Sequence, residues 1–373
     1  MIEIKEVKTR KEQKLFVDFP IKLYENCHYY VPNLRCDELN LFNPKKNVSY
    51  SDCDIVFYLA LKDGKVAGRI CGIEQKLYNK KQNEKRVRFT RFDFIEDIEV
   101  AKALLEAVEK WAKSKGMEIV HGPLGFNDLD REGLLVEGFH ELSTFESDYS
   151  YPYYAEFLEQ LGYEKEVDWL EFKIYPPKCV SERINRLSDA VMKRFKLKIA
   201  TEKSLSKYVK KYRKGIFETI DEAYGDLYGV IPYTKPLQDQ IMKQFKLMLS
   251  LDCIVTLLDE NDRVVAFGLG LPSLAETVQK SKGKLTLPAI IGLLRAKKHM
   301  KVFDFGLIGV RPEYHGKGLT AIIIKQMFEQ MKKYNLEHCE TNHSLETNKK
   351  IILTWKNFEH EQHKRRRCYI KRL

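Results

Sequence analysis

Two glycines precede the predicted start of a long helix, in the stretch His315-Gly316-Lys317-Gly318-Leu319-Thr320. An apolar strand ends just before this stretch, and the apolar spacing after it predicts a helix from Leu319. Because glycine has no Cβ, the backbone at Gly316 and Gly318 can approach an anion closely, and the helix start offers unpaired N–H groups and the positive end of its dipole. These six residues therefore predict a site for a cofactor that carries a pyrophosphate.

A second group of polar residues lies in a glycine-containing loop between Gly122 and Phe139. Five side chains in this loop could contact a substrate: Asn127, Asp128, Asp130, Glu132 and Glu137. Carboxylates in a loop that faces a substrate would bind a cationic amine. The same acids could instead cap helices or pair with lysine and arginine, and the sequence leaves both interpretations open.

The elements that must position these loops occur twice along the chain. Apolar stretches around Asp63-Gly64 and around residues 259–262 predict one β-hairpin in each half, followed each time by a strand and a helix. The recurrence predicts a duplicated domain with a boundary near Tyr175-Pro176-Pro177, giving domains of residues 1–176 and 177–373. Residues 181–249 have a mostly helical pattern and would supply the first helices of the second domain and a candidate substrate lid.

The two predicted domains differ in the segment that connects the strand after the hairpin to the following helix. Where the second half has its glycine loop, the first half has Phe94-Ile95-Glu96-Asp97-Ile98. Two carboxylates at this point would repel phosphate. Only the second half is therefore expected to bind the cofactor, while the first half is a candidate contributor to the acceptor site.

At the glycine loop the chain resembles the GNAT superfamily of acyl-CoA-dependent N-acyltransferases, whose signature is Gln or Arg, two arbitrary residues, Gly, one arbitrary residue, then Gly or Ala. Val310 and Pro312 precede the loop as in that family, whereas His315 and Thr320 depart from the signature. The resemblance implies an α/β (α+β) fold of two tandem GNAT-like domains, each a mixed, mostly antiparallel twisted sheet flanked by helices. It also implies acyl transfer from acyl-CoA, acetyl-CoA or longer, to a primary amine by direct attack, with no metal.

The resemblance assigns cofactor contacts to the second half. The strand over residues 303–310 would hold the thioester, with the N–H of Ile308 or Val310 facing its carbonyl oxygen. Gly309 is expected to mark the bulge that turns this N–H toward the thioester. Asn348 resembles the family asparagine that opens the helix after the next strand.

The catalytic residues follow from the same resemblance. Glu340 is the candidate base for the amine proton, and His338, on the same face of its strand, is the alternative. The position of the family's proton-donating tyrosine holds Trp355, whose indole cannot act as that acid. Tyr369, Ser344 or solvent would then protonate the departing thiolate.

Composition limits the class of protein. The 373 residues, 44% of them apolar, suffice for two cores. Eight cysteines without a Cys-x-x-Cys pair, and histidines without zinc spacing, favour reduced thiols over a metal site or a disulfide framework. The charged amino terminus and the lack of a long uninterrupted apolar run predict a cytoplasmic chain that does not span a membrane.

The net charge of +11 favours anionic partners but does not choose among CoA phosphates, a membrane surface and nucleic acid. The basic stretch over residues 364–372 is interrupted by Cys368, Tyr369 and Ile370, which favours a solvated strand face or membrane contact over nucleic acid. The apolar segment from Leu285 to Leu294 lies between lysines and arginines, which suits peripheral contact with a membrane.

Three further functions stay open at this point. A long-chain acyltransferase could act on a lipid amine of the sphingoid type, as in the bacterial ceramide synthases that look like GNAT proteins. Tandem GNAT-like domains also occur in aminoacyl or peptidyl transferases that use charged tRNA. The departures at His315, Thr320 and Trp355 suit a GNAT-fold binding protein without catalysis. The sequence does not define the oligomeric state.

Overall fold

The strands of the chain join one mixed sheet in a computed structural model that describes residues 1–177, 181–245 and 248–373. Residues 178–180, with Cys179, directly follow the predicted domain boundary and lie outside the described residues. Within the described residues the strands are β1 Ile2–Glu6, β2 Cys53–Lys62, β3 Lys65–Gln75, β4 Arg86–Phe94, β5 Ile119–Gly122, β6 Leu134–Glu137, β7 Glu164–Ile174, β8 Lys198–Ile199, β9 Ile254–Leu258, β10 Val264–Pro272, β11 Val302–Val310, β12 His338–Thr341, β13 Ser344–Leu345 and β14 His360–Arg372.

Helices flank the sheet, and several begin at side-chain caps. Asp97 accepts a hydrogen bond at the start of the fourth helix, and Asn348 does so at the start of the twelfth. The predicted helices over residues 98–114 and from Leu319 are confirmed. The helices are α1 Arg10–Leu23, α2 Arg35–Asn40, α3 Lys76–Gln82, α4 Ile98–Ser114, α5 Tyr153–Gln160, α6 Glu182–Arg194, α7 Leu205–Tyr224, α8 Lys235–Phe245, α9 Ala275–Lys280, α10 Leu287–Lys298, α11 Leu319–Tyr334 and α12 Lys349–Trp355.

Two similar half-sheets meet edge to edge. The strand order is β1-β2-β3-β4-β5-β14-β7-β12-β11-β10-β9-β8, with β6 beside β14 and β13 beside β7. β4 and β5 are parallel, as are β11 and β12, and the other paired strands are antiparallel. The predicted fold class, a mixed and mostly antiparallel sheet flanked by helices, is confirmed.

The halves exchange strands at the centre of the sheet. β14 lies between two strands of the first half, because Ile370 pairs with His121 on β5 and Arg366 pairs with Trp169 on β7. β7 in turn pairs with β12 of the second half. Each half thus receives a strand from the other, and the boundary after residue 176 stays a prediction.

Each half has an apolar core between its sheet and one long helix. α4 buries Leu104 and Val108 against the first half-sheet, and α11 buries Ile323 and Met327 against the second. Burying such a side chain contributes about 1.5–3 kcal/mol. α11 approaches β10 so closely that a Cβ on Gly268 would lie 2.4 Å from the Ile323 side chain. The second of these cores fixes the position of α11, the helix that follows the glycine loop.

The seven cysteines within the described ranges are unpaired. Among the helices that the structure describes, none combines the length and the apolar character needed to cross a bilayer.

Candidate active site

A wedge-shaped gap opens between β11 and β12. The two strands pair in parallel as far as Phe305 and Thr341, and the N–H of Asn342 donates to the carbonyl of Phe305 over 2.9 Å. β12 then ends, while β11 continues to Val310. The backbone of β11 beyond Phe305 therefore has a neighbouring strand on its β10 side only, and its other edge faces the gap.

The bulge in β11 lies at Gly306, and the prediction that Gly309 marks it is wrong. The pairing with β10 passes from Phe305 directly to Leu307, which leaves Gly306 without a partner. Gly309 pairs in regular register with Phe267, and a Cβ there would lie 2.3 Å from the Phe267 ring. Gly309 thus permits close packing, whereas Gly306 bends the strand beside the gap.

Tyr224, the last residue of α7, covers part of the free edge of β11. The N–H of Ile308 donates to the Tyr224 hydroxyl over 3.0 Å, and the hydroxyl donates to the Ile308 carbonyl over 2.7 Å. Burial raises the pKa of Tyr224, so the hydroxyl stays protonated. Strand alternation turns the N–H of Val310 toward the same edge. Of the two predicted thioester contacts, the Ile308 N–H is already hydrogen-bonded to the Tyr224 hydroxyl, whereas the Val310 N–H is not.

The predicted phosphate loop follows β11 directly. Gly316 and Gly318 have φ values of +72° and +86°, a region that favours glycine. Gly318 is the N-cap of α11, and no side chain accepts a hydrogen bond from the first turn of that helix. A Cβ on Gly316 would meet no atom within 4 Å, so the loop is open on that side. The geometry fits an anion held by backbone N–H groups.

The other predicted loop residues divide into exposed and buried side chains. His315 and Lys317 are exposed, and the His315 Nε2 lies 2.9 Å from the carbonyl oxygen of Val310. The Leu319 side chain is buried in the second core, so it can offer a ligand only its backbone N–H. Thr320 is half-buried in the first turn of α11. His315 thus fastens the loop to the strand before it.

A large apolar cavity lies beside the gap. Its empty volume is about 1210 Å³, and it is open to solvent on one side. β10, β11 and β12 form one wall, and helices α7 and α8 form another. Apolar side chains line most of it, among them Ile216, Phe217, Ile220, Ile241, Phe245 and Leu269. Both helices come from the segment predicted to be mostly helical, whose role as a substrate lid stays a prediction.

Three carboxyl groups that line this apolar cavity each have one buried oxygen that makes no hydrogen bond to the described residues. Glu146 Oε1, Asp304 Oδ1 and Asp128 Oδ1 have no hydrogen-bond partner among the described residues. Burial raises the pKa of Glu146 to about 7, and burial also raises the pKa values of Asp128 and Asp304. The charges of Glu340 and Glu146 further raise the pKa of Asp304, so these three carboxyl groups, Asp304, Glu146 and Glu340, act on one another. An ammonium group placed among them would stabilise their ionised forms.

Glu340 also lines the cavity but belongs to a buried ionic cluster. Its Oε2 lies 2.9 Å from the Lys364 Nζ, and its Oε1 lies 3.5 Å from His338 Nε2. Burial opposes ionisation, but the hydrogen bond from His338 and the charge of Lys364 lower the pKa of Glu340 to about 2. A carboxylate held in this way is a weak base. The predicted alternation is confirmed, since Cys339 points into the apolar core instead.

Lys364 joins Glu340 to a second buried acid, Glu171, at 3.7 Å. Glu171, Glu340 and His363 offer atoms within 4.8 Å of one another that could bind a metal ion. The Lys364 ammonium already supplies positive charge to both carboxylates. This cluster is therefore a poor candidate for a metal centre.

The acidic loop of the first half is split between several environments. Asp128 and Asp130 reach the cavity, where Asp128 accepts a hydrogen bond from Tyr233 over 2.5 Å and Asp130 pairs with Arg91 over 3.1 Å. Asn127, Glu132 and Glu137 do not line the cavity. Asn127 caps its own turn, Glu132 is buried with its pKa raised by burial and by the charge of Asp128, and Glu137 pairs with Arg365.

Neither Tyr369 nor Trp355 lines the cavity. The Tyr369 hydroxyl donates to Glu159 over 3.1 Å, and its ring is part of the first core. Trp355 is buried against Phe305, with ring centroids 5.8 Å apart. The structure thus brings neither residue to the free edge of β11. Asn348 caps α12, and its predicted contact with the cofactor stays a prediction.

In the first half, α5 covers the free edge of β4: the Phe94 N–H donates to the Tyr154 hydroxyl over 3.1 Å, and the Tyr153 hydroxyl donates to the Phe94 carbonyl over 2.8 Å. The second half packs over the paired part of β4 and β5. Arg88 on β4 donates to the carbonyl of Gly229 over 2.8 Å, and the Tyr228 hydroxyl lies 2.8 Å from His121 on β5. The Tyr228 hydroxyl also donates to Glu166, which completes this buried cluster. The expectation that only the second half binds acyl-CoA stays a prediction.

Comparison with known proteins agrees with this architecture. No protein-family model matches the sequence. The chain is 26% identical over 376 residues to Protein YghO of Escherichia coli (strain K12), covering 98% of this chain and 94% of that protein. It is 24% identical over 379 residues to the bacterial ceramide synthase of Caulobacter vibrioides, covering 98% and 96%.

A solved structure defines the fold. A tandem GNAT protein from the clavulanic acid biosynthesis pathway superposes with a TM-score of 0.57 at 10% sequence identity, over 100% of this chain and 98% of that one. The chain therefore has the tandem GNAT fold, as its glycine loop predicted.

Proposed function

We propose that the protein is an acyl-CoA-dependent N-acyltransferase whose acceptor is a primary amine with a long apolar tail. The observation that carries the proposal is the group of incompletely bonded carboxyls, Glu146, Asp304 and Asp128, in a cavity that is otherwise mostly apolar. An ammonium group complements the carboxyls, and a hydrocarbon chain complements the walls. The tandem GNAT fold and the similarity to a bacterial ceramide synthase support the same class of acceptor, an amine of the sphingoid type.

In this proposal the phosphates of acyl-CoA bind the backbone of the loop from His315 to Thr320. The thioester then lies along the free edge of β11, where the N–H of Val310 faces its carbonyl oxygen and stabilises the charge that develops there. The apolar walls of the cavity suit a hydrocarbon chain of the donor or of the acceptor.

Glu146 is the proposed base. It binds the acceptor as an ammonium and takes one proton, because a pKa of about 7 lets the carboxyl accept a proton near neutral pH. The amine nitrogen then attacks the thioester carbon and loses its second proton to solvent. The C–S bond breaks, the amide forms, and the group that protonates the sulfur regains its proton from solvent. Glu340 also lines the cavity and its role as base stays a prediction, but its pKa of about 2 makes it the weaker candidate.

Tyr224 is the proposed proton donor to the departing sulfur. Its hydroxyl lies at the edge of β11 where the sulfur would leave, and Trp355 occupies the usual position of such a tyrosine. A tyrosine from α7 would thus replace one from α12.

Mass spectrometry tests the proposal directly. The protein is incubated with a mixture of short-chain and long-chain acyl-CoA and with a long-chain amino alcohol, and the expected product is the long-chain amide. The Glu146→Gln variant should form far less product, while Glu156→Gln, on the exposed side of α5, should not change it. Acylation of small polar amines only would contradict the lipid acceptor, and the absence of any CoA adduct or amide would contradict the transferase.

A further inference from the structure

Helix α10 presents an apolar stripe to solvent. Leu287, Ile290, Ile291 and Leu294 follow one another at the i, i+3, i+4 and i+7 spacing of a single helix face, and 72%, 37%, 42% and 56% of these side chains are exposed. The opposite face, with Ala289 and Leu293, is buried against α9. A surface helix usually turns polar residues outward. The outward face of α10 is therefore an unpartnered apolar surface.

Basic residues border this stripe. Residues 277–303 contain seven lysines and arginines and no aspartate or glutamate. Three of the lysines in this part of the sequence, Lys280, Lys282 and Lys301, pair with glutamates from outside it. Lys284, Arg295 and Lys298 are exposed at the two ends of the stripe. An apolar helix face with a basic border is the combination that binds the surface of an anionic bilayer.

We propose that α10 docks the protein on an anionic lipid bilayer, with the stripe inserted at the level of the headgroups and the basic border on the phosphates. A second copy of the chain is a poorer occupant, because a symmetric contact through α10 would bring two basic surfaces together. The proposal goes beyond the proposed acyl transfer and does not depend on it, since docking involves no residue of the gap or the phosphate loop.

The buried face of α10 also connects the stripe to the cavity. Leu293 belongs to an apolar cluster that includes Leu249 and Leu271, and both of these residues line the cavity. Docking through α10 therefore brings a cavity wall next to the bilayer. A lipid amine could then reach the cavity without crossing much water.

Co-sedimentation with vesicles tests the docking. The full chain, without acyl-CoA, is mixed with vesicles of phosphatidylcholine alone or of phosphatidylcholine with phosphatidylglycerol. We expect binding to the anionic vesicles that weakens with added salt. The Ile291→Gln variant should bind about tenfold more weakly, since an inserted side chain of this size contributes on the order of a tenfold change in affinity.

Leu15→Gln is the matched control, because Leu15 is 40% exposed against 42% for Ile291 but lies on α1 of the first half. It should bind vesicles like the wild type, and equal melting temperatures would show that both variants fold. Charge is tested separately with Lys284→Gln/Lys298→Gln, which should weaken binding to anionic vesicles only. The proposal would be overturned if the wild-type protein did not bind anionic vesicles, or if the Ile291→Gln variant bound them as tightly as the wild type. A wild-type dimer that Ile291→Gln converts to a monomer without any effect on vesicles would also overturn it.

Discussion

The hydroxyl of Tyr224 bonds both backbone groups of Ile308, at 3.0 Å from the nitrogen and 2.7 Å from the carbonyl oxygen. A side chain from α7 thus takes the place that a strand would take along the edge of β11. Under the proposed function, this hydroxyl lies where the thioester sulfur would leave.

The Tyr224→Phe variant removes the proposed proton donor and both of these hydrogen bonds. We expect kcat to fall about tenfold to a hundredfold, because a positioned acid contributes on the order of 10² and a thiolate leaves easily by itself. Affinity for CoA, measured by calorimetry, should change little. Tyr212→Phe, a buried tyrosine of α7 outside the cavity lining, is the control. Unchanged kcat in Tyr224→Phe would exclude this tyrosine as the acid.

The pH profile tests Glu146. Burial raises its pKa to about 7, so the neutral carboxyl predominates below that pH and the carboxylate above it. A base must be ionised to take a proton, and kcat/KM should therefore rise with pH through about 7. Glu146→Gln should lower kcat/KM about a hundredfold and remove that inflection. If the inflection persists in the variant, it belongs to another group.

The glycine loop allows a closely matched test of cofactor binding. Gly316 has φ +72° and Gly64, in the hairpin between β2 and β3, has φ +77°, and a Cβ on either would meet no atom within 4 Å. Alanine should therefore cost each site about 1 kcal/mol of stability through backbone strain alone. Only Gly316→Ala should also weaken CoA binding, by about tenfold or more, because its Cβ would intrude where the backbone approaches phosphate. Equal CoA affinity in the two variants would mean that the loop does not hold the cofactor.

The ionic cluster at the centre of the sheet should control stability at low pH. Lys364→Met removes the ammonium partner of the buried Glu340, while Glu171 keeps its ion pair with Arg366. We expect a loss of about 3–5 kcal/mol in the free energy of unfolding by urea. Lys371 lies on the same strand as Lys364 and forms a half-exposed pair with Glu109 of α4. Lys371→Met should therefore cost less than about 1 kcal/mol.

The pH dependence of that loss has a defined sign. The pKa of Glu340 is lowered from 4.5 to about 2, and the pKa of Glu171 is also lowered, so the ion pairs stabilise the protein above pH 4.5. Protonation of these acids removes the contribution as the pH falls toward 2. The difference in stability between Lys364→Met and the wild type should therefore narrow in acid, and a constant difference would contradict the assignment.

Local patterns in the sequence predicted much of the second half. The helix from Leu319 and the loop at Gly316 and Gly318 depend on neighbouring residues, so spacing and residue type were sufficient to predict them. The hairpins and the shared face of His338 and Glu340 follow from strand alternation in the same way.

Contacts between distant segments could not be predicted in this way. Glu146 comes from the first half and Tyr224 from α7, and neither has a local motif that indicates its position beside β11. A buried carboxyl without a partner is visible only once the surrounding walls are known. The bulge was assigned to Gly309 instead of Gly306 because both glycines lie in the same apolar strand and only the pairing with β10 distinguishes them.

The position of β14 has a consequence for how the chain folds. β5 and β7 belong to the first half, but the space between them is filled by a strand that follows the second half in the sequence. On the ribosome the first half must therefore wait with two open strand edges until β14 emerges, and such edges pair readily with other chains. The long separation in sequence also makes this closure a slow step of folding. Chaperone demand during synthesis should accordingly be set by a strand that lies far along the chain from the half-sheet that it completes.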